Sequence, residues 1–129
     1  MTILGIGMDV VETKRIAESL ERFGERFLHR VFLDGEVAYS RSMKFPHLHL
    51  AARFAAKEAI SKAFGTGIGK EIGWRDLEIV REPSGQPRVV LHGRALEYAK
   101  TRGVHEIHVS LSHTAEYGAA SAVIVGASP

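Results

Sequence analysis

Glu58 and Lys62 stand four residues apart in the segment RFAAKEAISKAFG, from Arg53 to Gly65, and four residues is one turn of a helix, so both side chains share a face. A carboxylate and an ammonium so placed form either a surface ion pair, worth about 0.2–0.5 kcal/mol, or a charge-handling pair that looks onto a ligand. Their neighbours on that face, Ala51 and Ala55, are small and leave room for one. Asp9 is the other unusual residue, because it interrupts the apolar run ILGIGMDVV. Either the strand stops at Met8 and Asp9 is solvated, or the carboxylate is balanced by a cation, since an unbalanced buried charge is costly. Two carboxylates from separate elements, in a chain with no cysteine, suit a hard ion such as Mg²⁺ that completes its shell with water and phosphate oxygens.

Other combinations carry less. Gly5 and Gly7 open a G-x-G pattern, but Val10 occupies the position where a dinucleotide fingerprint needs its third glycine. Gly65, Gly67 and Gly69 follow a helix, so their loop cannot use a helix N-terminus to cradle phosphate. Ser112 and His113 are adjacent in HVSLSHT, and adjacent strand residues point to opposite faces, which removes Ser110, Ser112 and His113 as a local serine-and-base arrangement. His47 and His49 flank a proline-marked boundary and read as a surface loop, and His105 and His108 read as solvent-facing. Lys14, Arg15, Arg22, Arg26 and Arg30 concentrate positive charge in one stretch, which fits a landing site for an acidic partner, a nucleic-acid patch or a solvated helix face.

The elements that must position these groups are legible from periodicity. Residues 2 to 12 read as a buried strand, and Thr13 as the cap of the next element. From Lys14 to Val31, Ile16, Leu20, Phe23, Phe27, Leu28 and Val31 recur at helical spacing, with Gly24 as a break or kink. Asp34 is placed to cap a short helix through Ser42, and Pro46 precedes the longest helix, Leu48 to Phe64, which Gly65 ends. Its stripe of Ala52, Ala56, Ala59 and Ala63 implies close packing against another element. A strand at Leu77 to Arg81, a turn from Pro83 to Pro87 and a strand at Arg88 to Leu91 form a hairpin. A helix over 94–102 stops at Gly103, and strands at Ile107 to Leu111 and Ala119 to Val125 close the chain. The order predicts an α+β fold, a mainly antiparallel sheet packed on the long central helix.

Composition bounds the rest. The 129 residues, 45% hydrophobic and 25% charged, match one globular domain over 1–129, large enough to fold without a metal or disulfide staple. The absence of cysteine excludes thiolate chemistry and fits a reducing compartment such as the cytoplasm. The N-terminal apolar run has no basic region before it and is broken by Asp9, unlike a signal peptide, and no apolar run reaches the roughly 20 residues that span a bilayer.

Three segments, GIGMDVVETKRI, RFAAKEAISKAFGTGIG and HVSLSHTAEYGAASAVI, resemble the holo-acyl-carrier-protein synthases of the 4'-phosphopantetheinyl transferase family across nearly the whole chain. The resemblance implies a Mg²⁺-dependent transferase of fatty acid biosynthesis that moves the 4'-phosphopantetheine group of coenzyme A to a serine of apo acyl carrier protein, releasing 3',5'-ADP. It implies a homotrimer with coenzyme A between subunits. By the same resemblance Asp9 and Glu58 bind Mg²⁺, Glu58 and Lys62 are catalytic, and Arg53, Lys57, Lys62, Gly85, Pro87 and His113 bind coenzyme A. The turn Ser84-Gly85-Gln86-Pro87 flanks the adenine, and Lys14, Arg15, Arg22 and Arg26 meet the carrier protein. Glu36 matches an acidic position that orients a water. The base is either a metal-linked water oriented by Glu58 or Lys62 with a lowered pKa. Two other readings exist, a Mg²⁺-dependent phosphohydrolase and a nucleic-acid binder, but the second leaves Asp9 and Glu58 unexplained. Neither nucleic acid nor membrane is an expected partner.

Overall fold

The computed structural model describes residues 1–127. The chain runs β1 (Thr2–Glu12), α1 (Thr13–Phe23), α2 (Glu25–Val31), α3 (Asp34–Arg41), α4 (Pro46–Phe64), a 3₁₀ turn (Trp74–Asp76), β2 (Leu77–Arg81), β3 (Pro87–Leu91), α5 (Gly93–Thr101), β4 (Val104–His113) and β5 (Tyr117–Gly126). It is the expected α+β fold, with all strand pairs antiparallel: a three-stranded sheet in the order β1-β5-β4 and the separate hairpin β2-β3.

Helix α4 is the centre of the molecule, with the three-stranded sheet along one side and α1, α3 and β2 against the others. Leu50, Ile60 and Phe64 are buried on it, each worth about 1.5–3 kcal/mol of apolar transfer. Both alanine rows are buried as well, Ala51 and Ala55 as fully as Ala56 and Ala59. The small side chains beside Glu58 and Lys62 therefore do not open a ligand cavity. They admit the strand backbone.

That approach is closest at Gly5 and Gly7. A β-carbon on Gly5 would lie 1.8 Å from the carbonyl oxygen of Ala63, and one on Gly7 would lie 1.9 Å from that of Ala59, distances no carbon–oxygen contact tolerates. The two glycines let β1 lie directly on α4, and period-two alternation then turns Asp9 and Val11 to the same helix-facing side. The other side of β1 carries Ile6, Met8 and Val10, which are 68%, 67% and 58% exposed.

Several local expectations change. Thr13 is not a cap but the first residue of α1, and its hydroxyl donates to the carbonyl of Ala115 at 2.7 Å, fastening the helix to the β4–β5 turn. Gly24 separates two helices, adopting φ 55°, ψ −128°, a left-handed-side conformation that glycine reaches without a β-carbon clash. Leu33, not Asp34, precedes α3, and its backbone N–H donates to the Glu36 carboxylate. Helix α4 starts at Pro46, where a proline costs no hydrogen bond, and β4 extends back to Val104 because the sheet register continues to Gly126.

Candidate active site

The α4–β1 contact brings Asp9, Glu58 and Lys62 together. The Lys62 ammonium donates to Asp9 Oδ1 at 2.9 Å and to the Met8 carbonyl at 3.2 Å. Of the two readings of the i, i+4 spacing, the surface ion pair with Glu58 gives way to this cross-element bond. The Asp9 carboxylate is 16% exposed and the lysine side chain 52%, so the pair sits at the mouth of the contact instead of inside the core. Burial, then the nearby charge of Asp9, raises the Glu58 pKa above the usual carboxylate range, with Lys62 opposing both. The hydrogen bond to Asp9 raises the Lys62 pKa and keeps the amine protonated.

Two carboxylates from separate elements, Asp9 close enough to raise the Glu58 pKa, with an ammonium beside them, form a hard-oxygen donor set that fits a divalent ion. Among the described residues no three His, Cys, Asp or Glu side chains cluster as a self-sufficient metal site. An ion held by Asp9 and Glu58 would depend on water and substrate oxygens for the rest of its shell.

A second feature lies further toward the start of α4. Tyr39, His49, Ala52, Arg53, Arg81, Gly85, Pro87, Leu111, Ser112 and His113 line a hollow of about 180 Å³, which unites Arg53, Gly85, Pro87 and His113. The Tyr39 ring is flanked by two guanidiniums, with Arg53 at 4.3 Å and Arg81 at 5.3 Å from its centre, and Arg81 also donates to the Tyr39 hydroxyl. Arg53 is buried, and its Nε has no hydrogen-bond partner, an unusual condition for a buried donor. Burial is the main influence lowering its pKa. Such a concentration of positive charge suits a phosphate.

Sequence reasoning misses Tyr39, His49 and Arg81. His49 is not in a loop but in the first turns of α4, with its ring 4.8 Å from that of His113, and its spacing of four from Arg53 is the signal that could have found it. Tyr39 and Arg81 come from elements far away in sequence and carry no such signal.

Lys57 is the principal correction. Its side chain and that of Glu36 are both 0% exposed and joined at 2.8 Å, and the ammonium also donates to the carbonyls of Trp74 and Leu77 at 3.0 and 2.7 Å. All three of its protons are used, so it does not reach a ligand. Glu36 is likewise no water-orienting group: it accepts the backbone N–H of Leu33 at 2.8 Å and that of Ile79 at 2.9 Å.

On α1, Arg15 and Arg22 flank an apolar cleft of about 270 Å³ whose walls include Val11, Ile16, Phe23, Phe27 and Phe54. Val11 is two residues from Asp9 on the same side of β1, and Phe54 is one turn from Glu58 on α4, so the cleft adjoins the carboxylates. Lys14 is exposed and pairs with Glu18, and Arg26 lies beyond the Gly24 break on α2. Neither lines the cleft.

The domain thus sets a carboxylate pair and a lysine at a strand–helix crossing, with a cationic hollow along the same helix. The family model described as the 4'-phosphopantetheinyl transferase superfamily matches residues 5–122. A holo-[acyl-carrier-protein] synthase of Koribacter versatilis is 47% identical over 122 residues, covering 95% of this chain and 98% of the relative. The crystal structure of the Neisseria meningitidis holo-[acyl-carrier-protein] synthase superposes with a TM-score of 0.89 at 31% identity, covering 96% of this chain and 99% of that one. That of the Helicobacter pylori synthase in complex with coenzyme A gives 0.84 at 32% identity, covering 93% and 99%. The chain belongs to the 4'-phosphopantetheinyl transferase superfamily and, within it, to the holo-[acyl-carrier-protein] synthases.

Proposed function

We propose that this protein transfers the 4'-phosphopantetheine group of coenzyme A to a serine of apo acyl carrier protein, releasing 3',5'-ADP and giving the holo carrier protein for fatty acid biosynthesis. The observation that carries the reading is the meeting of Asp9, Glu58 and Lys62 where β1 lies on α4. The relatives' names and the coenzyme A complex of the Helicobacter pylori neighbour point the same way.

In this reading the serine oxygen attacks the β-phosphorus while the bond to the 3',5'-ADP oxygen breaks, and negative charge grows on the bridging and terminal oxygens. Asp9 and Glu58 would hold Mg²⁺, which when bound neutralises pyrophosphate charge. Lys62 adds a protonated amine beside that charge, and a fixed cation costs no reorganisation as the charge develops. Because the hydrogen bond to Asp9 keeps Lys62 protonated, the serine proton is assigned to a water oriented by Glu58 rather than to the amine. Arg53, His113 and the Gly85–Pro87 turn line the hollow assigned to the nucleotide. Arg15 and Arg22, either side of the apolar cleft, would receive an acidic helix of the carrier protein.

The functional unit in this reading is a homotrimer working in the cytoplasm. The exposed apolar row Ile6, Met8 and Val10 supports assembly through the outer face of β1, since a contiguous apolar strip on a strand marks a contact surface. The deciding experiment is mass spectrometry of an apo carrier protein incubated with this protein, coenzyme A and Mg²⁺. A phosphopantetheine mass gain on one serine is expected, whereas an unmodified carrier protein together with phosphate release from coenzyme A would replace the transferase with a hydrolase.

A further inference from the structure

The buried pair of Glu36 and Lys57 joins four stretches of chain at one point. Glu36 comes from α3 and Lys57 from α4; the lysine's other protons go to the carbonyls of Trp74 in the 3₁₀ turn and Leu77 in β2, and the carboxylate's other bonds come from Leu33 ahead of α3 and Ile79 in β2. Every donor and acceptor is used. A buried ion pair is a poor source of net stability, because desolvation offsets the attraction, and an apolar pair of similar volume often serves as well. What a fully bonded pair supplies is geometry, since its directional bonds fix how the joined elements are spaced and rotated.

The groups it fixes surround the cationic hollow. Tyr39 is three residues from Glu36 on α3, Arg53 is four residues from Lys57 on α4, and Arg81 is two residues from Ile79 on β2. Tyr39 and Arg53 therefore share a helix face with Glu36 and Lys57, and Arg81 lies one strand repeat beyond Ile79, whose backbone N–H donates to the Glu36 carboxylate. The stacked cluster Arg53–Tyr39–Arg81 at the hollow's wall is one turn or one strand repeat away from the buried pair, on all three elements at once. Burial is the first influence lowering the Lys57 pKa, with Glu36 opposing it, in keeping with an amine that is enclosed and held by its partner.

We infer that Glu36 and Lys57 are positioning residues for nucleotide binding: they hold α3, α4 and β2 at the separation that aligns Tyr39, Arg53 and Arg81 around a phosphate-bearing nucleotide. The inference rests on the assignment of the hollow to the nucleotide end of coenzyme A.

The test uses two double variants, Glu36→Met with Lys57→Met, which replaces the pair by apolar bulk, and Glu36→Gln with Lys57→Gln, which removes charge but keeps hydrogen-bonding groups. Each avoids leaving one buried charge alone, the change that would unfold the protein. For whichever variant keeps the wild-type circular dichroism and a cooperative thermal transition, the Kd for 3',5'-ADP is measured by calorimetry, and KM for coenzyme A and for the carrier protein by kinetics. The Met pair is expected to weaken 3',5'-ADP about tenfold or more and to raise KM for coenzyme A in parallel, since a misplacement near 1 Å costs on that scale, while KM for the carrier protein stays within about twofold. Wild-type affinity for 3',5'-ADP in a folded variant overturns the positioning role. So does an equal rise in KM for both substrates, which would mark a general loss of structure. Arg53→Ala separates this from the parent reading: if that variant also binds 3',5'-ADP normally, the hollow is not the nucleotide site and both assignments fall together.

Discussion

The Lys62 ammonium lies 2.9 Å from the Asp9 carboxylate, a bond between the last turns of α4 and the middle of β1. The lysine is more than half exposed, so the pair contributes little to stability, and its effect is on where the amine points. Lys62→Ala should therefore leave the melting temperature nearly unchanged and lower kcat far more than it weakens coenzyme A binding, as expected of a cation acting mainly in the transition state. Loss of affinity with kcat preserved would make Lys62 a binding residue instead.

Asp9→Asn and Glu58→Gln should each lower turnover on the order of 100-fold or more at ordinary Mg²⁺. Amides are poorer ligands than carboxylates for a hard divalent ion. Far-ultraviolet circular dichroism checks that the fold persists, and near-normal turnover in either variant would remove the two-carboxylate metal site.

Gly7→Ala probes the contact that assembles the site. With its β-carbon 1.9 Å from the Ala59 carbonyl oxygen, the strand must lift from α4, at a cost of about 3 kcal/mol. Denaturant unfolding reads the cost, and turnover should fall with it because Asp9 moves away from Lys62 and Glu58. A stable, fully active Gly7→Ala protein would show that this contact does not set the site.

His49 predicts an acid-sensitive step. Burial lowers its pKa from 6.5, followed by His113 and then Arg53 and Arg81, and Tyr39 is the other ring against it. The unfolded chain thus takes up this proton before the folded one, so stability present above pH 6.5 is lost as pH falls through the lowered folded value. Melting temperature followed from about pH 7 to about pH 5 should drop less in His49→Gln than in the parent protein. Parallel curves would assign the acid sensitivity to other groups.

Arg15→Glu tests the docking surface. Exposed charges chiefly steer encounter and are screened over about 10 Å at 0.1 M salt. The reversal should raise KM for the carrier protein and flatten its salt dependence, leaving the Kd for coenzyme A almost unchanged. Weakened coenzyme A binding with an intact carrier-protein KM would move the docking surface elsewhere.

Much of this is legible in the sequence, and for physical reasons. The periodicity of α4 and the alternation in β1, β4 and β5 reflect one-sided burial, which leaves its pattern locally, so the α+β order can be read from residue types. Residue types alone leave Asp9, Glu58 and Lys62 open between solvated charges and a site, and only the family resemblance joins them. Lys57 cannot be read locally. Its place beside Glu58 in KEA is compatible with a ligand-binding amine, and only tertiary structure reveals that Glu36 and two carbonyls have taken it up. Arg81 and Tyr39 are invisible for the same reason: they meet Arg53 through elements distant in sequence, and nothing local marks such a meeting. Spacing alone groups Arg26 with Arg15 and Arg22, and the turn at Gly24 makes that spacing irrelevant.

Strand β1 has almost no neutral ground. Gly5 and Gly7 answer to the carbonyls of α4, Asp9 to Lys62, and Val11 to the core, while the residues between them, Ile6, Met8 and Val10, form the apolar outer row. An insertion or deletion of one residue would exchange the two sets, thrusting methyl-bearing side chains at the helix and a carboxylate outward. The exposed surface of α5 carries no such two-sided demand, whereas a change of length in β1 would break the helix contact and the outer row together.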